Sequence, residues 1–312
     1  MKVLVTDGMA PEAVKILEDA GHEVVLDEVS PEGLLEKIGG YDALIVRSRT
    51  KVKKEAIERA EKLMVIGRAG IGVDNIDIEA AADKGVKVVN APTGSTLSVA
   101  ELAFGHMLSL ARGIHRGTGA AKKGEWMKKK LKGMELHGKT LGIVGCGRIG
   151  RELAKRCQAF GMDVIGCDPY IPCEVADEAC IELLTMEELL KRADFVSIHA
   201  YMSPENHHMI GKEELEMMKS SAYLINCARG GLVDEEALYE ALKKGEIAGA
   251  GLDTYETEPP GEMKLAELDN VTFTPHIGAN TVDAQRKAGT LVAEQVNKVL
   301  SKEMPDFWVN KR

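Results

Sequence analysis

Aromatic residues are scarce in this chain, 4% of 312 residues with only two tryptophans, so its core must be mainly aliphatic. Positive charge is not in excess either: 40 Lys and Arg against 49 Asp and Glu leave a formal net charge of −9. That balance excludes general affinity for nucleic acid or an acidic membrane surface, and an anionic ligand would need a local basic cluster. No apolar run approaches the ~20 residues of a membrane span. The opening Met1-Lys-Val-Leu-Val-Thr-Asp7 is too short an apolar run for a secretory leader and reads as a strand. The six cysteines, Cys146, Cys157, Cys167, Cys173, Cys180 and Cys227, form no C-x-x-C pair and no zinc-like spacing with histidine. The expectation is free thiols in a cytoplasmic protein and no metal site. A composition of 45% apolar and 29% charged residues fits a globular chain long enough for two domains.

Glycine signals, by contrast, are concentrated. Thr140 to Asp168 reads as an apolar run, a turn Gly145-Cys146-Gly147-Arg148-Ile149-Gly150, a helix-period segment and a second apolar run closing on Asp168. Strand before, helix after and an acid about 20 residues on turn a weak G-x-G-x-x-G match into a dinucleotide-binding βαβ unit. Gly145 would make the tight turn, Gly147 would let the backbone approach a pyrophosphate, and Gly150 would let helix and strand pack closely. The helix N-terminus offers its N–H groups to the phosphates. Asp168 falls where a carboxylate accepts hydrogen bonds from the adenosine ribose. Pro169 and Tyr170 follow it, with no Lys or Arg to meet a 2′-phosphate, so NAD is expected rather than NADP.

Residues 1 to about 90 alternate strands (Lys2–Thr6, Glu23–Leu26, Ala43–Val46, Met64–Ile66, Lys87–Val89) with helices (Pro11–Ala20, Pro31–Ile38, Lys53–Ala60, Ile76–Lys84). Such alternation predicts a parallel sheet with both faces covered. Ser95–Arg116 reads as one long buried helix, with Ser98 and Glu101 as a capping box. Lys122–Lys132, with six lysines and Trp126, reads as a solvated arm or as one crossing to a second subunit. A second α/β domain opens at the glycine loop, with later strands at Phe195–His199, Ala222–Asn226, Ile247–Asp253 and Val271–Thr274. The helix Ala284–Ser301 is expected to return to the first domain, giving two hinge-linked domains with a cleft.

Three stretches just after strands of the second domain carry reactive groups: Asn226-Cys227-Ala228-Arg229-Gly230-Gly231, Asp253 to Pro260 with Glu258, and Pro275-His276-Ile277-Gly278-Ala279. Open α/β sheets bind ligands at that end. Each alone has a plain reading: a surface salt bridge, a solvated acidic loop, a satisfied histidine. Together they suit oxidation of a hydroxyl. Histidine exchanges the proton, a carboxylate beside it stabilises imidazolium, and a guanidinium orients the substrate.

These motifs, with Val46-Arg47-Ser48 and Arg68 to Asn75, resemble the D-2-hydroxyacid dehydrogenases over nearly the whole chain, and among them the phosphoglycerate dehydrogenases. The resemblance implies an α/β protein of two doubly wound parallel-sheet domains. A Rossmann NAD domain (residues 96–283) would be inserted in a flavodoxin-like substrate domain (1–95 and 284–312). It implies Arg229, Glu258 and His276 as the catalytic set. By the same likeness Arg148, Ile149, Asp168, Cys227 and Asp253 would contact NAD, with Ile71, Gly278 and Ala279 nearby. Arg47 and Arg49, flanking Ser48, resemble the phosphate-side arginines, and the Arg68–Gly72 turn, with Gly70 and Ile71, could hold a carboxylate. The expected reaction is oxidation of 3-phosphoglycerate by a homodimer. Open alternatives are another acid, as in hydroxypyruvate, glyoxylate or D-lactate dehydrogenases, and a non-catalytic NAD(H)-sensing role. Two departures stand out. Tyr201 occupies a place where relatives often carry proline, and the chain ends at Arg312 without a C-terminal regulatory extension, so serine feedback through such a domain is not expected.

Overall fold

A computed structural model describes residues 1–312. The chain divides into two compact units, one made of Met1–Thr96 and Ala279–Arg312, the other of Leu97–Gly278. Both are parallel-sheet α/β units. No helix is long and apolar enough to cross a membrane.

The first unit holds strands β1 (Lys2–Val5), β2 (Glu23–Leu26), β3 (Ala43–Val46), β4 (Val65–Arg68) and β5 (Lys87–Asn90) in the order β2-β1-β3-β4-β5. All neighbouring strands run parallel. Short aliphatic runs such as Ala43-Leu-Ile-Val46 are buried along their whole length, as expected for a sheet covered on both faces. One face packs on the long helix Val282–Leu300, whose Val292 and Val296 lie so close to Gly67 that a Cβ there would meet them at 2.9 and 2.7 Å. The free edge of β5 is covered by the chain's last residues. Trp308 bridges to Val89, and the Asn310 side chain accepts the Val88 N–H at 2.8 Å and donates to Val86 O at 2.9 Å. In a 2-1-3-4-5 sheet the strand order reverses between β1 and β3, so the carboxyl ends of these strands form the crevice.

The second unit holds β6 (Thr140–Val144), β7 (Asp163–Cys167), β8 (Glu182–Leu183), β9 (Phe195–Ile198), β10 (Tyr223–Asn226), β11 (Gly249–Leu252) and β12 (Val271–Phe273). Their order, β12-β11-β10-β9-β6-β7-β8, is the Rossmann arrangement extended by a strand, with its reversal between β6 and β9. The glycine loop, Arg229, Asp253 and His276 all follow the carboxyl ends of these strands.

One helix differs from expectation. Ser95–Arg116 is not continuous: a helix over Thr96–Arg112 ends at Gly113, which adopts φ 59°, and a second helix runs over Ile114–Lys122. Glycine takes that left-handed conformation without the Cβ penalty, so the chain turns there. Because the helix begins at Thr96, Ser98 lies in its first turn rather than capping it. Glu101 pairs instead with Arg156, at 2.9 Å.

Candidate active site

The glycine loop is shaped by what surrounds it. Gly145 has φ 92°, and a Cβ there would stand 2.7 Å from the backbone of His199 and Ala200, at the end of β9. Gly150 lies so near the loop that a Cβ would meet Gly145 O at 2.5 Å. At Gly147 nothing lies within 4 Å of that position. Gly147 also caps the helix Arg148–Ala159 without a side-chain acceptor, so the N–H groups of the first turn, at Arg148 and Ile149, have no such partner. An open backbone approach at an uncapped, positive helix end fits a pyrophosphate. Asp168 turns one carboxylate oxygen to the Cys146 N–H and the other to the Tyr170 N–H, each at 2.9 Å. The acid therefore also ties the loop to the end of β7.

The three later strand ends are fastened to one another. Asn226 donates to Arg229 O at 2.9 Å and accepts the Ala228 N–H at 3.1 Å, which curls the chain after β10 and brings up Arg229. The Arg229 guanidinium donates to Ala228 O at 2.8 Å. Gly230 then lies flat on the next loop: a Cβ there would fall 1.8 Å from the Tyr255 carbonyl carbon and 2.4 Å from Glu256 N. These are backbone atoms and cannot swing aside. Gly230→Ala is expected to destabilise the protein by about 1–3 kcal/mol or more through overpacking and to disturb both loops at once. Denaturant midpoints together with kcat would check this; a variant with native stability would show that the loops can separate.

Asp253, after β11, is fully buried, and its carboxylate is satisfied by hydrogen bonds. It accepts the Thr274 hydroxyl at 2.6 Å and the N–H groups of Ile277 and Gly278, both at 2.8 Å. Those bonds clamp the turn that carries His276, itself at φ 50°. His276 Nδ1 lies 2.7 Å from Glu258 Oε2. The other Glu258 oxygen accepts the Tyr255 N–H at 3.2 Å. Burial works to raise the Glu258 pKa, but the His276 hydrogen bond and charge, the Tyr255 N–H and the nearby Arg229 outweigh it, so the group sits below the usual carboxylate range. An ionised Glu258 only accepts, so Nδ1 carries a proton toward it, and in the neutral ring Nε2 is the nitrogen with the lone pair. Burial, with Asp253 beside it, pushes the Cys227 thiol well above its ordinary range, so Cys227 is no nucleophile. An apolar cavity of about 410 Å³ adjoins the pair, lined by Tyr255, Pro259, Pro260, Met263, Phe273 and Pro275 as well as Glu258 and His276.

In the first unit, Arg47, Ser48 and Arg49 follow β3. Asp7 organises them, accepting the Arg47 N–H at 2.7 Å and the Thr50 N–H at 3.1 Å. Burial tends to raise the Asp7 pKa, yet its bonds to Thr50, Arg47 and Arg49 hold it below the ordinary value. Arg49 is engaged with Asp7 and Glu28, both at 3.2 Å, and with Thr6 O. These contacts separate the two arginines: Arg49 is committed to carboxylates, whereas Arg47 is held through its backbone. The Gly70–Ile71 turn after β4 is pinned by Asn90, which donates to Ile71 O at 2.7 Å. Ala279 is exposed at the end of the His276 turn.

Sequence reasoning did not single out Tyr255, Thr274 or His106. Tyr255 donates its hydroxyl to Thr274 O at 2.8 Å and so joins the Glu258 loop to the end of β12. These residues act through contacts between distant stretches, for which a single sequence has no signal.

The model for the D-isomer specific 2-hydroxyacid dehydrogenase NAD binding domain matches residues 104–278. The chain is 55% identical over 311 residues to the D-3-phosphoglycerate dehydrogenase of Methanocaldococcus jannaschii, covering 99% of this chain and 59% of that protein. It thus spans about three-fifths of that relative's length. It is 45% identical to the hydroxypyruvate reductase of Thermotoga maritima, covering 96% of this chain and 98% of that one. Among solved structures, the D-lactate dehydrogenase of Escherichia coli superposes with a TM-score of 0.86 at 27% identity, covering 99% of this chain and all of that chain.

Proposed function

We propose, from the premise that the chain belongs to the D-isomer specific 2-hydroxyacid dehydrogenase family, that it oxidises the hydroxyl of 3-phospho-D-glycerate to the ketone of 3-phosphohydroxypyruvate with NAD. The observation that carries the chemistry is the His276–Glu258 contact at 2.7 Å, which leaves Nε2 as a proton acceptor. Bound NAD supplies the hydride acceptor. His276 Nε2 takes the hydroxyl proton, Glu258 stabilises the imidazolium that forms, and Arg229 holds the carboxylate and the developing carbonyl oxygen. The loop Gly145–Gly150, Asp168, Cys227 and Asp253 would hold the cofactor, with Ile71, Gly278 and Ala279 beside it.

For the phosphate end we assign Arg47 ahead of Arg49, because Arg49 already meets Asp7 and Glu28. Gly70 and Ile71 are assigned to the carboxylate end, with Ser48 beside Arg47. The test is a panel of 2-hydroxy and 2-oxo acids with both NAD(H) and NADP(H), repeated on Arg47→Ala. Losing one charge-assisted phosphate contact should raise the KM for 3-phosphoglycerate by about tenfold or more and leave that for an unphosphorylated acid nearly unchanged. Equal changes for both would favour hydroxypyruvate reduction, the reading supported by the near-full-length Thermotoga maritima relative. A homodimer is part of the same proposal: Leu97 and Ile114 expose apolar side chains, and Trp126 is 88% exposed. Sedimentation of a monomer would reject it.

A further inference from the structure

His106 lies buried in the second unit, on the helix Thr96–Arg112, and is bonded on both sides of its ring. Nδ1 is 2.7 Å from Thr272 Oγ1, and Nε2 is 3.0 Å from Thr274 Oγ1. Thr274 in turn donates to Asp253, the residue that clamps the His276 turn. The strand beneath leaves room for the ring: at Gly251 a Cβ would fall 2.8 Å from His106 Cβ and 3.1 Å from Nδ1. Any larger residue at position 251 would push the histidine off its partners.

The direction of this chain follows from the charge at its end. A carboxylate only accepts, so the Thr274 hydroxyl spends its single proton on Asp253. Thr274 Oγ1 must then accept from His106 Nε2, which therefore carries the ring hydrogen. Nδ1 is left as the acceptor, and the Thr272 hydroxyl donates to it. Burial, together with His115, pushes the His106 pKa down against the pull of Asp253, which favours the neutral ring of this pattern. The bonds run from Thr272 to His106 to Thr274 to Asp253, and Asp253 takes two further bonds from the amides just after His276.

We propose that His106 is a positioning residue: through Thr274 it orients the Asp253 carboxylate, and through Asp253 it holds the turn that presents His276. The proposal rests on the reading of His276 as proton acceptor given above. A phenylalanine would fill the same space between helix and sheet, but it would leave the Thr274 hydroxyl without its donor and free to turn from Asp253. A side chain that served only to pack would be replaced by phenylalanine without effect on the turn.

The test compares His106→Phe, His106→Gln, Thr274→Val and the double variant His106→Phe/Thr274→Val. Amide hydrogen exchange across Thr274–Ala279 is measured alongside kcat and KM. His106→Phe should speed exchange at Ile277 and Gly278 by about tenfold and lower kcat by a similar factor with KM little changed, as expected for one lost buried hydrogen bond. Thr274→Val should do the same, and the double variant should be no worse than the worse single. Glutamine keeps a donor near the Nε2 position and should recover most of the loss. Native exchange at both amides in His106→Phe, effects that multiply in the double variant, or no recovery with glutamine would each overturn the proposal. If His106→Phe does not fold, native exchange in Thr274→Val overturns it, and accelerated exchange there with near-native exchange in His106→Gln supports it. If the wild-type protein oxidises no 2-hydroxy acid, the reading of His276 falls, while the exchange data still decide whether His106 holds the turn.

Discussion

His276→Gln should lower kcat by about a hundredfold or more while NADH binding stays close to wild type. Glutamine can still donate to Glu258, so the 2.7 Å contact and the loop it fastens have a substitute partner. What glutamine lacks is a basic lone pair on the far side of the ring, where the hydroxyl proton must go. The loss therefore falls on the chemical step. Glu258→Gln should cost less, because the imidazole stays in place without its stabilising charge. That substitution also has a consequence for stability. Glu258 has a depressed pKa in the folded protein, so its contribution is fully present above the ordinary carboxylate value and is lost as pH falls through the depressed one. Glu258→Gln should flatten that acid-side loss, partly screened because the side chain is 38% exposed. Steady-state kinetics and NADH titration check the first expectation. A His276→Gln enzyme with near-native kcat would remove His276 from the mechanism.

The residues of that site were legible because each follows a strand and each has a chemically distinctive side chain. Two parallel sheets were legible for a similar reason: buried aliphatic runs such as Leu141 to Val144 and Ala43 to Val46 alternate with helix-period segments. The break at Gly113 was not. A glycine inside an apolar helical pattern costs only about 1 kcal/mol, so it gives no sign of whether the helix continues. The cover over β5 depends on Asn310 bonding to residues more than 200 positions away. Likewise, nothing local to His106 announces Thr272 and Thr274, or that Gly251 is small for its sake. The division between Arg47 and Arg49 is likewise a tertiary property. In sequence they are two equivalent cations flanking a serine, and only the placement of Asp7 and Glu28 shows which one is already paired. Such differences come from tertiary contacts, which composition and periodicity do not encode.

The wild-type enzyme should favour NAD over NADP by about a hundredfold or more in kcat/KM, and Asp168→Ala should narrow that ratio by at least about tenfold. Each Asp168 oxygen already accepts one amide, from Cys146 or Tyr170. An ionised carboxylate has about four lone-pair sites, so capacity remains for the two ribose hydroxyls. A 2′-phosphate brought to the same place sets like charges against each other, worth ~4 kcal/mol per unit pair at ~4 Å in a medium of effective dielectric ~20. Arg151, in the helix that follows the loop, donates its guanidinium to Cys146 O at 3.0 Å, so it would have to leave the loop carbonyl to meet a phosphate. Removing the carboxylate relieves that repulsion but also strips the Cys146 N–H of its acceptor. Activity with NAD should therefore fall while activity with NADP rises or falls less. Because the anchor is lost for both cofactors, the ratio is the quantity to measure, rather than either rate alone. A wild-type preference for NADP would place the ribose elsewhere. A ratio unchanged in Asp168→Ala would mean that Asp168 serves the loop alone and that discrimination between the two cofactors lies with other residues.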